Sequence, residues 1–306
     1  MKIFRLGFIL SLLALTGASS FAQTQQRQSE KSLLWQISGN GLEKSSYLYG
    51  TIHMLCEDDA IISDSLKAAI ENTEKVYLEV DMDNLLELLG AMGQMKMKND
   101  TTLADLLSKE DYQKVKAFIE SKNSLLPFSE LETFKPLLAS STLLESGLPC
   151  GSAVAMEQLI MQEATLRNKK IDGLETMAYQ LSIFDSIPYK LQAEQLLKYT
   201  TADGNHSEAD KEFMEMTEAY KEQDLEKLSD FIKKSDDGLG QYEDILLNNR
   251  NRNWVQKLKT IMQKNPVTVA VGAGHLPGEK GVINLLRKEG YTVKPVKNKI
   301  SGQRII

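Results

Sequence analysis

The strongest constraint on this chain is where its β-forming runs fall. Residues 267–271 are a short, nearly continuous β-branched run of the kind a parallel sheet buries on both faces. A helical stretch over 278–289 and a further strand over 291–296 follow it, a closing β-α-β of the crossover type. At the other end, 33–38 and 46–52 read as strands joined through Gly39-Asn40-Gly41, a hairpin signal, and 76–80 is another β-rich run after a helix at 63–72. Between these ends, from about 83 to 264, apolar residues recur at helical spacing, broken at Asp100-Thr101-Thr102, Pro127, Pro188 and Gly238–Gly240; only 170–173 reads as a short strand. The expected fold is therefore α/β (α+β), one sheet built from the N- and C-terminal strands with a large helical insertion as a cap. A single domain is expected over 32–306.

Composition narrows the class. With 306 residues, 42% of them hydrophobic and 25% charged, the chain has the means to bury a substantial core, and general disorder is excluded. Lys2 and Arg5 precede an apolar run over 6–15 that ends in small residues and Ser20-Phe21-Ala22, so 1–22 reads as a secretory signal cleaved after Ala22. A polar leader, 23–31, follows. Cleavage removes two basic and no acidic residues, taking the formal charge from −6 to −8, which argues against nucleic acid as a partner. The exported chain is expected in the periplasm or outside the cell with no stable membrane anchor; its oligomeric state is not legible. In such an oxidising compartment Cys56 and Cys150 would pair across a long loop; the other readings are metal ligation by Cys56, three residues after His53, and two buried thiols.

Two of the three histidines share a context. Leu48-Tyr49-Gly50-Thr51-Ile52-His53 and Val271-Gly272-Ala273-Gly274-His275 each end an apolar β-run and each hold a glycine three residues before the histidine. A lone Gly-x-x-His is most often an idle loop histidine, but two at strand ends of one sheet stand where open α/β sheets place ligands. Imidazole is both a common metal ligand and the proton carrier of neutral pH. Glu79 lies in an otherwise apolar strand, where an ionised carboxylate needs a partner, and Asp81 follows on the same face. Glu175 either points into the same cleft or caps the next helix, Glu157 reads as a solvated or capping residue, and Arg250 offers a fork suited to a carboxylate. His206 sits in a turn and receives no role. No HExxH helix is present, so the ordinary zincin route is closed.

Tyr47 to His53, Leu78-Glu79-Val80-Asp81, Gly173-Leu174-Glu175-Thr176 with Gln180-Leu181, Arg250-Asn251-Arg252 before Trp254, and Val269 to Gly278 with Gly281-Val282 and Gly290-Tyr291 together resemble the TraB/GumN family, in the same order. The resemblance extends to the Tiki proteins, membrane-tethered metalloproteases acting on secreted Wnt ligands, and more distantly to the erythromycin esterases and the haem-associated ChaN proteins, whose fold it implies. It implies a metal-dependent hydrolase, a peptidase acting on a peptide or protein substrate, with His53, Glu79 and His275 holding a divalent manganese, cobalt or zinc. Glu175 and Arg250 would complete the catalytic set as proton carrier and substrate clamp. Two other classes stay open: a non-enzymatic binder sequestering a peptide or haem-like ligand, and a metal-independent esterase with His53 as general base.

Overall fold

The computed structural model describes residues 31–121, 126–144, 150, 152–198, 200, 208–234 and 238–298. The expected signal segment, residues 23–30 of the leader and His206 lie outside the described residues. Strands β1 (Leu34–Ser38) and β2 (Ser46–Thr51) pair antiparallel, and Gly39, Asn40 and Gly41 between them all take positive φ (77°, 50° and 81°), which glycine and asparagine tolerate. A two-residue strand β3 (Leu55–Cys56) follows. Helix α1 (Asp64–Glu71) starts where the Ser63 hydroxyl accepts from Leu66 N–H, and it buries Leu66, Ala69 and Ile70 along one stripe. Strand β4 (Lys75–Leu78) then enters the sheet.

Five helices come next: α2 (Leu85–Ala91), α3 (Leu103–Leu106), α4 (Lys109–Ser121), α5 (Phe128–Leu131) and α6 (Pro136–Leu144). After the short strand β5 (Ala153–Val154), which pairs with β3, come α7 (Met156–Leu166), β6 (Lys170–Gly173), α8 (Met177–Phe184), α9 (Tyr189–Lys198), α10 (Glu208–Lys221) and α11 (Leu225–Lys234). A π-helical turn at Asp244–Asn248 runs into α12 (Asn249–Lys264), and the described chain closes with β7 (Val267–Gly272), α13 (Val282–Lys288) and β8 (Thr292–Pro295).

The main sheet has the order β6-β4-β7-β2-β1-β8. β6, β4, β7 and β2 run parallel, while β1 is antiparallel to both its neighbours. The two chain ends thus interleave at its centre, where β7 lies between β4 and β2 with Val267, Val269, Ala270 and Val271 at most 1% exposed. Two expectations need correction. β7 and β8 point the same way, yet β2 and β1 stand between them, so the closing crossover spans two strands. β6 comes from within the helical stretch and forms a sheet edge, because residues 170–173 find an open hydrogen-bonding side on β4. A second apolar cluster, including Leu103, Val115, Phe128, Leu131 and Leu196, gives α3 to α6 and α9 a core of their own.

Candidate functional site

Parallel pairing carries both histidine motifs to one edge of the sheet. Gly50 stands opposite Val271 and Thr51 opposite Gly272, so the chain leaves β2 and β7 side by side. Gly50 lets them approach closely: a Cβ would lie 3.1 Å from the Ala273 backbone, a tight contact where the two motifs press together. Glu79 is the first residue past β4 rather than part of the strand, and turns its carboxylate to the same edge, where Oε1 accepts the Gly272 N–H at 2.8 Å.

His275 is buried and its proton is placed. Asn251 donates through Nδ2 to the Lys280 carbonyl (3.0 Å), which directs Oδ1 at His275 Nδ1 (2.6 Å), so that nitrogen carries the hydrogen. Nε2 is then the acceptor for Arg250 Nη1 at 3.2 Å. Burial, reinforced by Arg250, depresses the ring to about 3, so it is neutral at any ordinary pH. Its face packs on Trp254, 4.4 Å between ring centres.

Arg250 joins these groups. Its Nε donates to Glu175 Oε1 (2.9 Å), Nη2 donates to Glu79 and Glu175, and Nη1 reaches both His275 and the Leu246 carbonyl (3.1 Å). All five N–H donors are spent. The Leu246 carbonyl belongs to the π turn ahead of α12, and such turns favour functional positions. Burial works to raise the Glu79 carboxyl, but the Arg250 guanidinium and the Gly272 N–H hold it well below the usual carboxylate range. Glu175, which also accepts from Trp254 Nε1 at 3.0 Å, is raised by its burial. It neither enters the cleft nor caps α8, where Thr176 is the cap; it backs Arg250.

His53 is the opposite case. Its ring is 75% exposed, and Nδ1 lies 2.9 Å from Glu157 Oε1. That hydrogen bond raises it to about 9 against the opposing effect of desolvation. Glu157 is buried, contrary to its reading as a solvated or capping acid: it occupies the core stripe of α7 with Met156, Ile160 and Ala164. The Thr51 hydroxyl donates to the same Oε1, and among the described residues Oε2 has no hydrogen-bond partner.

A cavity of about 280 Å³ is lined by both histidines, Glu79 and Arg250, with Gln180, Ile183 and Phe184 of α8 and Leu246 and Leu247 of the π turn. The structure therefore brings His53, His275, Glu79 and Arg250 together, with Glu175 one layer behind and Asp81 outside the lining. Sequence reasoning missed Glu157 and Gln180, whose Nε2 donates to Glu79 Oε2 at 2.9 Å. A divalent ion would need donors from His53, Glu79 and His275, but Glu79 and His275 Nε2 are bonded to a guanidinium. Among the described residues no group of three or more His, Cys, Asp or Glu side chains is spaced to hold a metal ion, so these residues as arranged do not fit one. Cys56 and Cys150 form a disulfide with Cα atoms 5.9 Å apart.

The pattern of the TraB/PrgY/gumN family matches residues 33–295, which takes in every strand of the main sheet and both histidine motifs. The chain belongs to the TraB/PrgY/gumN family. This family member is similar to the metalloprotease TIKI2 of Danio rerio, 22% identical over 86% of this chain and 60% of that protein. The metalloproteases TIKI1 of Danio rerio and of Homo sapiens are each 22% identical, covering 91% and 94% of this chain and 66% and 68% of theirs. The chain thus spans about three fifths to two thirds of the length of these relatives. No solved structure matches it, and the likeness to erythromycin esterase and ChaN folds stays an expectation. No helix among the described residues is long and apolar enough to cross a membrane.

Proposed function

We propose that this family member is a hydrolase of peptide or related acyl bonds, working in the cavity between the two histidines, and that it acts outside the cytoplasm. One observation carries the reading: two like motifs line one cavity in opposite states, His275 neutral and fully engaged, His53 exposed and held through Nδ1 by a buried carboxylate. An imidazole oriented by an acid in the wall of a cavity is the arrangement of a general base. Once His53 has lost its extra proton, Nε2 takes the proton of a water that attacks the carbonyl carbon, and returns it to the leaving group. Gln180 has a second amide hydrogen to offer the developing oxyanion, and Arg250 favours that charge through its field rather than through a hydrogen bond. Arg250 is accordingly a positioning residue, with Glu175 behind it and His275 beside it.

The names of the relatives favour a second reading, a metallopeptidase with manganese, cobalt or zinc on His53, Glu79 and His275. No step above runs through a metal, because two of those donors are bound to Arg250. The deciding assay measures hydrolysis of peptide and ester substrates by wild type, His53→Ala and Glu157→Gln, with a chelator and with each ion added. We expect turnover that survives the chelator, a rate that climbs toward pH 9, a loss of about 10²-fold or more in His53→Ala, and a limb displaced toward neutral pH in Glu157→Gln. Activity seen only with an added ion would favour the metallopeptidase instead.

A further inference from the structure

Helix α2 is apolar on its outer face as well as its inner one. Leu85, Leu86 and Leu89 of the helix, with Met82 just before it and Met92 just after it, look into solvent: in chain order the five side chains are 50%, 66%, 83%, 55% and 55% exposed. The inward side holds the helix with buried Ala91, half-buried Leu88 and two polar contacts. Asn84 caps the helix, and Glu87 Oε1 accepts the Met177 N–H at 2.6 Å, tying α2 to the first turn of α8. An outward stripe of large apolar side chains is costly in water unless something covers it. Helix α8, to which Glu87 ties α2, carries Tyr179, 42% exposed, and one turn on supplies Ile183 and Phe184 to the wall of the histidine cavity. Helix α8 thus stands between α2 and the site.

Charge selects the occupant. Asp81 and Asp83 stand at the start of the stripe and line a shallow pocket of about 490 Å³ with Lys169, whose amine donates to the Glu71 and Thr73 carbonyls and keeps its charge, so the two acids outweigh the one base there. An anionic bilayer meets like charge here, and so does a second copy packed face to face, since each would bring the same aspartates. A chain segment with large apolar side chains and a basic residue next to them meets neither penalty. We propose that the outer face of α2 docks such a segment of the substrate and leads it toward His53; this rests on the hydrolase reading for what happens there.

The test measures binding apart from turnover. A fluorescein-labelled peptide alternating Leu, Phe and Lys is titrated with the full chain by anisotropy, beside one with Ser for each apolar residue and one with Glu for each Lys. The expected result is preference for the first peptide, weakened about tenfold or more in the Leu86→Ser, Leu89→Ser double variant and unchanged in His53→Ala. Circular dichroism of the double variant should match wild type, because both side chains are already in water. Equal affinity of wild type and double variant, or no peptide binding at all, overturns the proposal. Leu86-dependent sedimentation with anionic or neutral vesicles, or Leu86-dependent dimerisation in the ultracentrifuge, would overturn it in favour of a membrane or a second copy. Stripe-dependent binding without cleavage of any peptide would leave the docking face standing and sink only the hydrolase.

Discussion

His275 carries a consequence that needs no substrate. Its ring is neutral down to about pH 3 in the folded chain, whereas in the unfolded chain it takes a proton near its ordinary 6.5. The folded value is depressed, so the stabilisation is complete above about 6.5 and is lost as pH falls toward 3, at about 1.4 kcal/mol per pH unit in that window. Glu79, held well below an ordinary 4.5, adds its own loss with the same sign below about 4.5. Melting followed by circular dichroism should therefore show Tm falling from pH 7 to pH 4, with a shallower slope in His275→Gln. A slope that is the same in both chains would mean the ring is not the buried neutral group described. Both histidine motifs and Glu79 were legible because glycine spacing and a charge after an apolar run are local features. Glu157 was legible too: counted with Ile160 and Ala164 it falls on the helix stripe that faces the core, the wrong place for a solvated acid.

At the scale of elements, the His53–Glu157 pair depends on a small frame. Leu55 pairs with Val154 and Cys56 with Ala153 in the two-stranded β3–β5 sheet, Met156 N–H donates to the Ile52 carbonyl at 3.1 Å, and the Cys56–Cys150 bond clamps the outer end. Sequence could offer the cysteine pair only as one reading among three, and a two-residue strand has no periodicity to reveal it. The π turn was equally hidden, since one extra residue per turn over Asp244–Asn248 leaves the apolar pattern of the helical stretch unchanged. The bond closes a sequence separation of 94 residues, and removing such a link costs about 2–4 kcal/mol. The Cys56→Ser, Cys150→Ser chain should melt lower and, with the frame loosened, His53 should titrate nearer 6.5 than 9 when its ring is followed by NMR. A His53 titration untouched by the double substitution would show that β3 and β5 hold the pair without the bond.

For the whole molecule, the placement of β-runs at both ends was enough to expect one sheet, because apolar segments with unpaired backbone must find each other whatever lies between them. Strand order was not legible: nothing local in residues 267–271 says that they lie between β4 and β2, and the capture of β6 from the helical stretch follows from an open edge that exists only after folding. The interleaving makes a demand on stability. A chain ending at residue 265 lacks β7, which separates β4 and β6 from β2, and it loses four strand side chains now at most 1% exposed, the valines among them each worth about 1.5–3 kcal/mol of burial. That loss, with the broken ladders on both sides of β7, rivals the roughly 5–15 kcal/mol that keeps a domain folded. The truncated chain should show no cooperative urea transition, and a separately supplied segment from 266 to 306 should restore one, since β7 needs only its two neighbours to pair. If the truncated chain instead melted cooperatively by itself, β4, β2 and the helices would have to share a core that does not pass through β7, and the shared sheet edge that brings His53 to His275 would lose its physical basis.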